Sequence, residues 1–156
     1  MKWVTRERPK IDRIVCPWLI LRFIEPQAEI LYVPTADVAR TAHEQGAVPF
    51  DVPGVDLTHH GPLCFDAFLE KYHLEDPGLA KLADIARAAD TDRLDRSPQA
   101  PGLLAITLGL GANIRDDQAL LRAGLILYDA LYTWCKTLAG ERHAWHPQTI
   151  LKEMGA

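Results

Sequence analysis

No apolar run in this 156-residue chain approaches the ~20 residues a membrane helix needs. The opening MKWVTRERPK lacks the apolar core of a secretory signal. Cysteine is scarce: Cys16, Cys64 and Cys135 make an odd set without regular spacing, which excludes a disulfide framework and suggests a reducing compartment. Positive charge is not in excess either. With 17 Lys and Arg against 21 Asp and Glu, the net charge of −4 argues against a non-specific grip on nucleic acid. CxxC, HExxH, GxGxxG, P-loop and GxSxG patterns are all missing, so the common zinc, dinucleotide, nucleotide and serine-hydrolase signatures are excluded. There is no internal repeat, low-complexity tract or linker. We expect one domain over residues 1–156, soluble and cytoplasmic, without direct nucleic-acid or membrane binding.

What is present alternates in the first third. KWVTR (2–6), AEILYVP (28–34) and AVPFDV (47–52) have strand character. Between them lie an apolar segment ending before Pro26 and TADVARTAHEQG (35–46), with Thr35 as N-cap and Gly46 as stop. Beyond residue 60 the pattern turns helical: 63–74, 76–92, an apolar and buried 100–113, and 116–140, followed by a tail or short packing helix. The expected fold is α/β and mainly helical, a small and largely parallel N-terminal βαβαβ sheet followed by a helical C-terminal half.

Four constellations could carry chemistry. In PKIDRIVCPWLILRF (9–23), Asp12, Arg13, Cys16 and Arg22 interrupt a segment that otherwise wants burial. With Pro17 at the first helical position, Cys16 would be the N-cap and its thiol activated; with Asp12 as N-cap, Cys16 is a small buried hydrophobe. Arg6, Arg8, Lys10 and Arg13 around a helix start could hold an oxyanion, or form a solvated loop with structural ion pairs. In DLTHHGPLCFDAFLEKY (56–72), His59, His60, Cys64, Asp66 and Glu70 offer metal donors, or are capping and surface groups. Asp90, Asp92 and Asp95 end an apolar helix, where the dipole disfavours acids and a cation or the nearby arginines would compensate. Asp129, set in LILYDALYTW, needs a partner if buried; Arg13, Arg22 or a bound cation would serve.

The stretches at 3–34, 48–74 and 89–110, with LYDALYTWC at 127–135, resemble the C-terminal domain of the chromate resistance protein ChrB. Matching positions are Asp12-Arg13, Cys16-Pro17-Trp18, Arg22, His59, Cys64, Asp66, Asp90, Asp92 and Asp129. In longer members this domain follows a region thought to bind DNA. The present chain resembles the domain alone, so DNA binding is not expected to carry over. The resemblance implies a process, chromate response, more than a reaction. We expect a site for a metal ion or a chromate-like oxyanion. His59 with carboxylates from Asp66, Asp90, Asp92 or Asp129 would hold a divalent metal ion, lined by Asp12, Arg13, Cys16 and Arg22. A metal-dependent hydrolase or thiol-based reductase is the enzymatic alternative, and a ligand-free interaction module the third. A homodimer is the partner expected besides the small ligand.

Overall fold

The structure is a computed structural model and describes residues 1–58, 63–144, 146–153 and 155. Strand β1 (Lys2–Arg6) lies between β2 (Glu29–Val33) and β3 (Val48–Pro49), all parallel. The β1–β2 register runs from Lys2 opposite Glu29 to Arg6 opposite Val33. Strand β3 is shorter than the 47–52 expected. Pro49 has no N–H to give to the ladder, which confines this segment to an edge, and the next donor, Phe50 N–H, closes it on Val4 O at 3.0 Å.

Helix α1 (Asp12–Leu19) follows β1 and passes into a π-helical turn over Ile20–Ile24. It starts at Asp12, not at Cys16, so Cys16 is no N-cap and Pro17 sits inside the helix. Pro17 cannot donate to the carbonyl of Arg13 four residues back. The Tyr32 hydroxyl of β2 does so instead, at 2.7 Å. One side chain therefore repairs the helix and ties it to the sheet.

Helix α2 (Val38–Gln45) is preceded by a 3₁₀ turn over Thr35–Asp37 and ends on Gly46 at φ +61. Thr35 makes no capping hydrogen bond; the expected stop at Gly46 is present. Then come α3 (Cys64–Lys71), α4 (Pro77–Asp90), α5 (Ala100–Asn113), α6 (Asp117–Thr133) with a π-helical end over Trp134–Leu138, and α7 (Pro147–Glu153). Asp76 caps α4 by accepting from Leu79 N–H, and Asp116 caps α6 through Ala119 N–H. Arg8, at φ +54, sends its guanidinium to the carbonyls of Gly111 and Arg115 at the end of α5. It caps a helix C-terminus there and pairs with Asp117 at 3.6 Å.

Trp3, Phe50, Phe65 and Phe68 are fully buried in the main core, and Trp18 packs on Phe23, Tyr128 and Tyr132. Burial of each Phe contributes roughly 1.5–3 kcal/mol, and Phe68, packed on Trp3 of β1, anchors α3 against the sheet. The burial expected for α5 is only partial: Leu103 and Thr107 face inward, while Ile106 and Leu108 are about half exposed. No helix among the described residues is long and apolar enough to cross a membrane.

Candidate functional site

The centre of the site is Asp12, in the first turn of α1 and only 4% exposed. Its carboxylate does not cap its own helix. Oδ2 accepts from Cys64 N–H at 2.8 Å, and Oδ1 from Phe65 N–H and the Cys16 thiol, each at 3.3 Å. Leu63, which precedes α3, has no polar side chain to satisfy the first donors of that helix. Asp12 supplies the missing acceptor across 52 residues of chain.

Asp51 approaches from the turn after β3. It is buried and adopts φ +50, a conformation that costs a non-glycine residue about 1 kcal/mol or more and that concentrates at functional positions. Arg6 holds it twice, Nε to the backbone carbonyl and Nη2 to Oδ2, both at 3.1 Å, and Arg13 Nη1 lies 3.6 Å from Oδ2. Asp51 N–H and the Cys64 thiol both donate to Leu57 O. One donor atom each from Asp12, Asp51 and Cys64 therefore falls within 4.8 Å of the others, all buried. Beside them opens a cavity of about 180 Å³ lined by Arg6, Lys10, Asp12, Arg13, Asp51 and Asp90.

Burial pushes the Asp12 carboxyl up to about 7, the charge of Asp51 adds to the rise, and the Cys64 N–H opposes it. Burial also pushes the Cys16 thiol well above its ordinary value, with further contributions from the neighbouring Cys64 thiol and Asp12. Burial thus favours the protonated forms of Asp12 and Cys16. The donors are of a kind that a metal ion can take over.

Of the residues singled out in the sequence, the structure brings together Arg6, Lys10, Asp12, Arg13, Cys16, Cys64 and Asp90. Asp90 stands on the exposed rim at the end of α4. The others lie apart. Arg22 and Asp129 form a two-pronged ion pair, with both contacts at 2.9 Å, and Trp18 Nε1–H also donates to Asp129 at 2.8 Å. They join the end of α1 to α6. The Arg22 hydrogen bonds hold the Asp129 carboxyl below its ordinary range. Asp66 pairs with Arg87 of α4 at 2.6 and 3.2 Å. Asp92 is exposed at φ +54 beyond the end of α4. His59 falls outside the described residues.

Asp51 was missed by the sequence reading because it sits in a segment that looks like strand. The signal available was a carboxylate inside an otherwise apolar run just before Pro53-Gly54. Arg22→Ala should leave ligand binding in the cavity unchanged. It should lower stability by under about 1 kcal/mol in urea melts, as expected of a half-exposed ion pair.

The family model described as "ChrB, C-terminal domain" matches residues 3–135. Protein ChrB of Cupriavidus metallidurans is 34% identical over 134 residues, which cover 85% of this chain and 40% of that protein. The chain thus spans less than half the length of that relative. No solved structure matches it.

Proposed function

This chain belongs to the ChrB C-terminal domain family, and from that premise we propose a chromate-response domain that takes up a divalent metal ion in the cavity between α1, the turn after β3 and α3. Membership of the family supports a role in chromate resistance. The observation that carries the ligand reading is the convergence of buried donors from Asp12, Asp51 and Cys64. Arg6 and Arg13 are already engaged by Asp51. An oxyanion placed among these donors would meet two carboxylates, and like charges 4 Å apart repel by about 4 kcal/mol even at an effective dielectric constant near 20. A cation reverses the sign of that interaction.

A second reading is favoured by one atom. Arg13 Nε is buried at the cavity wall with no hydrogen-bond partner among the described residues. With Lys10 it could receive a chromate-like oxyanion at the outer end of the cavity.

The test is the metal content of untagged protein by mass spectrometry, for wild type and Asp51→Asn, with circular dichroism as the control for folding. Near-stoichiometric metal that is lost in the variant supports the cation. A wild type that stays metal-free after incubation with zinc, manganese or magnesium salts would sink it. Chromate titration followed by tryptophan fluorescence, with sulfate as competitor, then tests the oxyanion.

A further inference from the structure

The Tyr128 hydroxyl poses a separate question. Its side chain is fully buried on α6, and the hydroxyl has no hydrogen-bond partner among the described residues. Leaving such a group unsatisfied is costly, and orphans of this kind are rare in native proteins unless a water or ion serves them. Burial pushes the hydroxyl pKa up, and the charges of Asp12, Cys16 and Asp90 add to the rise. Tyr128 packs on Trp18 of α1, the helix that carries Asp12 and Cys16.

Cys16 adjoins the centre of Asp12, Asp51 and Cys64 through Asp12. Both thiols are fully buried and unlinked. The Cys16 sulfur lies 3.3 Å from Asp12 Oδ1. The Cys64 sulfur lies within 4.8 Å of an Asp12 carboxylate oxygen, and the neighbouring Cys64 thiol adds to the upward push on Cys16. A tetrahedral zinc ion, with bonds of about 2.0–2.3 Å, places its donors roughly 3.3–3.8 Å apart. The Cys16–Asp12 separation already meets that spacing; Asp12, Asp51 and Cys64 need to close by about 1 Å, and Cys16, outside that trio, has to swing in beside them.

We infer that the site selects a thiophilic divalent cation of the zinc class, bound by Cys16 and Cys64 together with Asp12 and Asp51, with Tyr128 closing it from α6. The inference rests on the metal reading above and adds the donor set and the class of ion. Magnesium and calcium require oxygen cages of six or more ligands, which two sulfurs in a dry core cannot provide. As each metal–sulfur bond forms, the thiol proton leaves to solvent. The Arg6 and Arg13 contacts to Asp51 act as the outer hydrogen bonds that orient a ligating carboxylate.

The test is a cobalt(II) titration of the full metal-free chain. Stoichiometry is read by mass spectrometry and sulfur ligation by the near-ultraviolet thiolate-to-cobalt absorption. One cobalt per chain is expected, with a band that zinc abolishes and magnesium does not. Cys16→Ser and Cys64→Ser should each keep about half of the band, and Cys135→Ser all of it. Tyr128→Phe should lower affinity while leaving the band shape unchanged. X-ray absorption of the zinc-loaded wild type needs no variant and should show both sulfur and oxygen neighbours. Cobalt bound without the band, or zinc with oxygen and nitrogen neighbours alone, overturns the donor set while leaving a metal site standing. A folded wild type that binds neither ion overturns the metal reading as well.

Discussion

Asp12→Ala is expected to destabilise the metal-free protein by about 3 kcal/mol, measured as a lowered urea midpoint. Three donors lose their acceptor at once: the N–H groups of Cys64 and Phe65 and the Cys16 thiol. The residue before α3 cannot replace it, and water has little access because Cys64 and Phe65 are fully buried. Part of the loss is offset, because the carboxylate is itself costly to hold in the core above its raised pKa of about 7. That offset gives the prediction a pH signature. Between an ordinary carboxyl value of 3.8 and about 7, folded Asp12 keeps a proton that the unfolded chain has released. Its contribution therefore makes the metal-free wild type more stable as pH falls through this window, by up to about 1.4 kcal/mol per pH unit. Asp12→Asn retains an acceptor for Cys64 N–H but cannot titrate. Comparing urea midpoints at about pH 5 and about pH 8 should show this slope in the wild type and its loss in Asp12→Asn. An unchanged slope would mean that another group carries it.

The second large effect is expected at Gly124→Ala, where α6 crosses α1. A Cβ there would run into Cγ2 of Ile14, which is 1% exposed. A β-branched side chain in a helix has one dominant rotamer, so Ile14 cannot swing clear. Overpacking of this kind costs about 1–3 kcal/mol, and the better helix propensity of alanine recovers at most about 1. We expect a net loss of about 2 kcal/mol in denaturant melts, together with weaker metal retention, because Ile14 lies between Asp12 and Cys16 on α1. Gly109→Ala in α5 is the control. Nothing lies within 4 Å of a Cβ at that position, so the same substitution there should raise stability by up to about 1 kcal/mol. If both variants melt alike, steric contact at Gly124 is not what matters.

Strand β1 was legible because KWVTR has β-branched and aromatic residues with nothing to stop it. The ends of α2 and α4 were legible for local reasons, Gly46 in one case and Pro77 in the other. The start of α1 was ambiguous for a reason that is not local: Pro17 is tolerated inside the helix only because Tyr32, on another strand, bonds to the carbonyl it leaves bare. The site divides along the same line. Asp12, Arg13 and Cys16 stood out as polar groups in an apolar helix. Asp51 did not, because its left-handed conformation and its arginine partners exist only after β3 is docked on β1. Arg22 and Asp129 stood out equally, yet the structure pairs them with each other. An interrupted apolar pattern marks a residue that needs a partner and leaves open whether the partner is a ligand or another helix.

The position of β1 between β2 and β3 sets an order on folding. The strand made first during synthesis is the one that needs both later strands, so Trp3 and Val4 keep one edge open until Val48–Pro49 has emerged. Closing such sequence-distant contacts is slow compared with forming the helices. The Asp12–Cys64 bond spans still more chain. The ligand centre is consequently a late product of folding, complete only once the sheet beneath it has closed, and a nascent or partly unfolded chain carries its donors without the geometry to use them.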